Sequence, residues 1–183
     1  MNLPDWDQRH LYPASDLAPT PLLVQIAGSL KPARVLDLAC GTGRNALWLA
    51  AHGWSVTAVD GSPVAIEILR RAAMKLGVSV DAHVADLEKH EYVIEPSSWE
   101  LIAICCYLQR DLFEPVKRGL VPGGLVVAMV LLIEPGHEDS PFRLRPGELR
   151  RYFEGWEILH DREGGDASHH SVAEIVARRP GRA

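Results

Sequence analysis

No stretch of this chain approaches the roughly 20 consecutive apolar residues that a bilayer-spanning helix needs, so no membrane span is expected. The start does not resemble an export signal either. Asp5 and Asp7 stand where a basic segment would be, which makes the cytoplasm the expected location. Cysteine is scarce, with three residues, and two of them, Cys105 and Cys106, are adjacent. No cysteine falls at a metal-ligand spacing, so the thiols read as reduced; the adjacent His169 and His170 are poorly placed to aim at one ion and have no evident carboxylate or Cys partner, so no metal is expected. Positive charge is not in excess. A net charge of −5 leaves no electrostatic footprint for nucleic acid and points to a small-molecule substrate. Low-complexity tracts and internal repeats are also missing. What remains is 47% hydrophobic and 23% charged over 183 residues, enough for one well-buried domain and not comfortably for two.

Against that background the stretch from Arg34 to Ala46 stands out. Val35, Leu36 and Leu38 form an apolar run too short for a helix, which suits a parallel strand buried on both faces. The strand carries Asp37 near its end, turns through Gly41 and Gly43, and feeds a helix with Ala46, Leu47, Leu49 and Ala50, stopped by His52-Gly53. Glycine at these points permits backbone angles that other residues resist and removes a Cβ from the path of a ligand. Gly41-x-Gly43-x-x-Ala46 also satisfies the dinucleotide fingerprint, in which a pyrophosphate sits on the helix N-terminus. Such a strand, glycine turn and helix serves two kinds of nucleotide-like cofactor, and Asp37 separates them. Four residues before the first glycine, its carboxylate repels a pyrophosphate but suits the ammonium of a methionine-like group.

The rest of the chain alternates strand and helix patterns. Residues 1–31 read as an N-terminal appendage or lid with a first helix, and 32–183 as the ligand-binding domain. Thr20 is a candidate N-cap with Pro21 at the first helical position. The segment ahead of it, Trp6-Asp7-x-Arg9-His10-x-Tyr12, fits either a surface-packed tail or a flap closing over a ligand. Trp54–Val59 is a second strand ending in Asp60-Gly61-Ser62-Pro63; Ser62 caps the next helix, Pro63 opens it and Gly77 ends it. Asp60 lies nineteen residues after Gly41, where an acidic side chain binds both hydroxyls of a ribose. Val78–Val84 and Trp99–Cys105 are strands three and four, and Asp111–Leu120 is a helix. Pro122-Gly123-Gly124 reads as a turn before a fifth strand, Leu125–Leu131. A compact helix over Pro146–Phe153 precedes an antiparallel hairpin of Trp156–Asp161 and Ser171–Ala177. The β-α alternation implies a parallel sheet with right-handed crossovers, and ligands of such sheets bind at the carboxyl ends of the strands. Asp37, Asp60 and Asp86 all fall at such ends.

Asp37-Leu-Ala-Cys-Gly-Thr-Gly43 resembles motif I of class I S-adenosylmethionine (SAM)-dependent methyltransferases. The resemblance implies an α/β fold: a Rossmann-like seven-stranded sheet with helices on both faces and a C-terminal antiparallel hairpin. It implies SAM as cofactor, with Asp86 accepting from the adenine amino group. The cofactor-binding set it implies is Asp37, Ala39, Gly41, Gly43, Asn45, Asp60, Gly61, Ser62, Ala85, Asp86, Leu87 and Cys105. Neither Asp86 nor the terminal hairpin suits a dehydrogenase. A non-catalytic SAM-binding sensor or partner subunit remains an alternative to turnover.

The acceptor should sit after the fourth strand, where the chain reads Cys105-Cys106-Tyr107-Leu108-Gln109-Arg110-Asp111-Leu112-Phe113. The Asn/Asp-Pro-Pro-aromatic motif of amino-group methyltransferases is missing there. Tyr-Leu-x-Arg-x-Leu-Phe resembles the tellurite-resistance-type methyltransferases. So do Gly43-Arg-Asn-Ala46, the Trp6-Asp-x-Arg-His10 start and the Arg145–Ile158 segment. Gln109 departs from that pattern, in which histidine is frequent. The resemblance implies a thiol or chalcogen oxyanion acceptor and in-line displacement, which is mainly a problem of alignment. Tyr107 and Arg110 are the candidate catalytic residues. Tyr107 fits orienting the acceptor or simple packing. Arg110 fits pairing with an anionic acceptor, capping a carbonyl, or pairing with Asp111 or Glu114.

Overall fold

A computed structural model describes residues 7–8, 18–134, 140–165 and 170–181. The chain forms two compact units, Met1–Val93 and Ile94–Ala183.

The first unit is built from α1 (Pro21–Gly28), β1 (Arg34–Leu38), α2 (Arg44–Ala51), β2 (Ser55–Asp60), α3 (Pro63–Leu76) and β3 (Asp81–Val84). Its strands are parallel, with Leu38 opposite Val59 and Asp60 opposite Val84. Leu36, Leu38, Leu49, Ile66 and Leu69 are fully buried, so the apolar run of β1 and the inward faces of α2 and α3 make one core. The limits of α3 follow its sequence signals. Ser62 Oγ accepts the Ala65 N–H at 3.1 Å, Pro63 opens the helix, and Gly77 takes a left-handed conformation at its end.

Thr20 is the N-cap residue of α1, with Pro21 at the first helical position as expected, but its hydroxyl makes no cap hydrogen bond. Arg44 Nη2 points at that oxygen from 3.5 Å, and the Thr20 N–H donates to Asn45 Oδ1 at 2.8 Å. The third strand also begins at Asp81 rather than Val78. The Val78 N–H is spent on the Ala73 carbonyl at 3.0 Å, closing the end of α3, and pairing with β2 starts only at Asp81.

The second unit carries β4 (Trp99–Cys105), a 3-10 turn (Arg110–Leu112), α4 (Phe113–Gly119), β5 (Leu120–Leu131), α5 (Glu148–Arg151), β6 (Glu157–Gly165) and β7 (Ser171–Arg178). β4 and β5 are parallel; β7 runs antiparallel to both β5 and β6. Phe113 stacks on Tyr152 at 4.2 Å and meets the edge of Phe153, closing a core around Leu101, Ile102 and Ile104.

Pro122-Gly123-Gly124 is not a turn ahead of the fifth strand but an irregular start within β5, where the register with β4 shifts between Trp99 and Leu101. A Cβ on Gly124 would lie 2.9 Å from the Val121 carbonyl oxygen. The helix expected over 146–153 contracts to Glu148–Arg151. Gly147 is left-handed, and Glu148 folds back to accept the Arg145 N–H at 3.0 Å. The seven strands follow the order β3-β2-β1-β4-β5-β7-β6, a mixed sheet with the terminal antiparallel hairpin that the sequence predicts. Among the described residues no helix is long and apolar enough to cross a membrane.

Candidate functional site

The tips of β1, β2 and β3 carry the three acids singled out from the sequence. After β1 the chain turns through Ala39, Gly41 and Gly43, all at positive φ. The Cys40 N–H reaches the Val59 carbonyl at 3.0 Å, and the Gly43 N–H closes on the Cys40 carbonyl at 3.0 Å. A Cβ on Gly43 would lie 2.2 Å from Leu69 Cδ1. The bare Cα of Gly43 therefore serves the approach of α2 to α3.

Asp60 is held by this turn. Its Oδ2 accepts the Gly41 N–H at 2.8 Å and its Oδ1 the Ser62 N–H at 2.9 Å. The carboxylate is thus fixed by two backbone donors, one from the turn after β1 and one from the turn after β2. Each oxygen keeps a further lone pair for an external donor. The Asp60 carbonyl takes the Ala85 N–H at 3.0 Å, which ties the tip of β3 to the same point. Gly61 and Ser62 follow directly, and Ser62 is fully buried.

Asp37 is buried, and its Oδ2 has no hydrogen-bond partner among the described residues. Burial, and then the charge of Asp60, push its carboxyl up to about 7, against the opposing Ala46 N–H and the Arg44 charge. The thiol of Cys40 rises well above its ordinary value through burial and the same two carboxylates, which makes it a poor nucleophile. Sequence reading gave Cys40 no role.

The remaining predicted residues fall into three groups. Asp86 lies partly buried past β3, its Oδ1 accepting the Glu88 N–H at 3.0 Å and its Oδ2 2.9 Å from Lys89 Nζ. The hydrogen bond from Lys89 holds its carboxyl below the ordinary value. Ala85 and Leu87, on either side, are buried. Asn45 faces α1, accepting from Thr20 as described above, and so anchors the helix N-terminus to the glycine turn.

Cys105, Tyr107 and Arg110 belong to the second unit. Cys105 is the last residue of β4, and Cys106 beyond it adopts positive φ with its N–H on the Met129 carbonyl at 2.7 Å. The Tyr107 hydroxyl donates to Gln109 Oε1 at 2.8 Å. Arg110 makes a fork with Glu148, Nε to Oε1 at 2.7 Å and Nη2 to Oε2 at 3.3 Å. It also donates to the carbonyls of Pro141 and Arg143 at 2.8 and 3.2 Å. Its carbonyl-capping role is therefore realised, but its acid is Glu148 rather than Asp111 or Glu114. That partner lies 38 residues away, and no local spacing advertises it.

The buried Arg143 was also missed. It donates to the Leu132 carbonyl at 2.7 Å and to Glu134 Oε2 at 3.1 Å, while Glu134 Oε1 takes the Ser171 N–H. Among the described residues no group of three or more His, Cys, Asp and Glu side chains could hold a metal ion. Most of the segment read as a tail or flap, Trp6 and Arg9 to Tyr12 included, lies outside the described residues; only Asp7 and Gln8 are described.

A family model described as "Tellurite resistance protein TehB" matches residues 18–175. "Hemagglutinin 1" of Eikenella corrodens is 27% identical over 176 residues, 84% of this chain and 57% of that protein. The "Probable S-adenosyl-L-methionine-dependent methyltransferase TehB" of Haemophilus influenzae is 26% identical over 154 residues, 77% of this chain and 52% of that protein. The chain thus spans little more than half the length of these two relatives. The crystal structure of TehB from Haemophilus influenzae superposes with a TM-score of 0.75 at 23% identity, over 87% of this chain and 62% of that one. The family match spans most of the chain, and the mixed seven-strand order agrees with it: this chain belongs to the family described as tellurite resistance protein TehB.

Proposed function

We propose that the chain binds SAM across the tips of β1, β2 and β3 and transfers its methyl group to a small soft nucleophile, a thiol or a chalcogen oxyanion. The Asp60 carboxylate carries this reading: held by Gly41 and Ser62, it keeps the acceptor capacity that a vicinal diol needs. Asp37 fits the same ligand, because a buried carboxylate oxygen without a partner suits a cationic neighbour. Ala39, Gly41 and Gly61 supply backbone beside these acids, and Asp86 with Ala85 and Leu87 forms the adenine end. When bound, the cofactor supplies an electrophilic methyl on a sulfonium; the chain's part is to align the acceptor with it and exclude competing geometries.

Support for the acceptor class comes from the family's tellurite-resistance description and from the missing Asn/Asp-Pro-Pro-aromatic motif between Cys105 and Phe113. Tyr107 is the residue proposed to orient the acceptor. Arg110, with its fork on Glu148, is proposed to shape that site by holding the carbonyls of Pro141 and Arg143. The test is radiolabelled methyl transfer from SAM to a panel of thiols, selenite, tellurite, phenols and amines. Label in the thiol or oxyanion arm is the expected result. Label confined to amines or phenols overturns the acceptor class, and no label with retained cofactor binding favours a sensor.

A further inference from the structure

The N-terminal segment reaches the β2 tip at one described point. Ser62 Oγ donates a short hydrogen bond to Asp7 Oδ1 across 55 residues of sequence, while the same oxygen accepts the Ala65 N–H at 3.1 Å. The Ser62 N–H meanwhile donates to Asp60 Oδ1 at 2.9 Å, and Asp60 Oδ2 takes the Gly41 N–H at 2.8 Å. A continuous hydrogen-bonded run therefore leads from Asp7 through Ser62 and Asp60 to the glycine turn. Ser62 is fully buried, so its hydroxyl proton needs a protein acceptor, and Asp7 supplies a charged one. α3 does not require Asp7, since its cap uses the oxygen of Ser62 and not its proton. What Asp7 adds is a second tie on the Ser62 hydroxyl, beside the Ala65 N–H, and with it on the turn from Asp60 to Ser62.

We propose that Asp7 is a positioning residue for cofactor binding: by accepting the Ser62 hydroxyl it holds the Asp60–Ser62 turn in the shape that receives the ligand's diol. The proposal rests on the reading of Asp60 as the diol acceptor. Neither the sequence motifs nor the family match, which begins at residue 18, assigns Asp7 a role. In the folded chain Asp7 acts on a ligand through Ser62 and Asp60, so its removal changes affinity and leaves the displacement step alone.

The experiment uses the full chain and its Asp7→Ala, Asp7→Asn, Ser62→Ala and Asp7→Ala/Ser62→Ala variants. Calorimetric titration with S-adenosylhomocysteine, the KM and kcat for SAM, and the ligand-free thermal midpoint are read for each. The expected loss in Asp7→Ala is about tenfold in affinity, as for one hydrogen bond to a charged group, with KM rising in step and kcat unchanged. Asp7→Asn retains an acceptor oxygen and stays within about threefold of the parent. In the Ser62→Ala background, removing Asp7 costs nothing further. Unchanged affinity in Asp7→Ala overturns the proposal, whether or not the ligand-free midpoint falls, because Asp7 is then at most an anchor. An undiminished Asp7 effect without the Ser62 hydroxyl overturns it too. Failure of the parent chain to bind S-adenosylhomocysteine is a different result: it removes the cofactor reading, and this proposal with it.

Discussion

Asp60 and Gly41 are joined by a 2.8 Å hydrogen bond from the glycine N–H to Oδ2, which ties the tip of β2 to the turn that follows β1. The bond explains why the turn needs left-handed backbone. At φ +54 the Gly41 amide faces across to the neighbouring strand. It also explains the orientation of the acid, whose second oxygen is taken by Ser62.

Gly43→Ala should destabilise the first unit. The new Cβ meets Leu69 Cδ1 at 2.2 Å, and the residue must keep φ +86. Overpacking and a left-handed non-glycine residue together cost about 2–4 kcal/mol, read as a lower urea midpoint. Gly77→Ala, also left-handed but with open space around the new Cβ, should cost only about 1–2 kcal/mol.

Asp37 should make stability depend on pH and, on the proposed reading of the site, cofactor affinity as well. Its folded-state value of about 7 lies above the ordinary 3.8, so the folded chain binds this proton more tightly than the unfolded one. The stability it contributes is fully present below about pH 4 and is lost as pH rises through about 7, by an amount of the order of a few kcal/mol. Asp37→Asn removes this component, so between about pH 5 and 8 its urea midpoint should change less steeply than that of the parent. A cationic ligand favours the ionised acid, so SAM should bind more tightly as pH rises through about 7, and Asp37→Asn should flatten that trend as well.

The Arg110–Glu148 fork separates a positioning arginine from one that meets the acceptor. Arg110→Glu should lower methyl transfer, and the exchange Arg110→Glu with Glu148→Arg should recover part of it by restoring the pair. A group that touches the acceptor cannot be recovered in this way. Stability should change by no more than about 1 kcal/mol, because Arg110 is 43% exposed. Urea unfolding and initial rates on the two variants check both expectations.

What could be read in advance was whatever neighbours in sequence determine. Ser62, Pro63 and Gly77 mark the limits of α3 because capping and left-handed termination are local chemistry. The glycine turn and the acids at the strand tips are legible for the same reason, as is the hairpin of β6 and β7. The misplaced start of β3 is instructive. Val78–Val80 alternates like a strand, yet the amide of Val78 was already committed to ending a helix. Side-chain partnerships across long separations leave no such trace. Thr20 with Asn45, Arg110 with Glu148, and Ser62 with Asp7 are fixed by the folded sheet rather than by spacing.

The most direct measurement is calorimetric titration of S-adenosylhomocysteine into the parent chain and into Asp60→Ala, each first shown folded by its far-ultraviolet circular dichroism. One ligand should bind per parent chain, and Asp60→Ala should bind at least about tenfold more weakly, having lost a charged acceptor for the ribose hydroxyls. No binding to the parent, or equal affinity in the two proteins, would contradict the account.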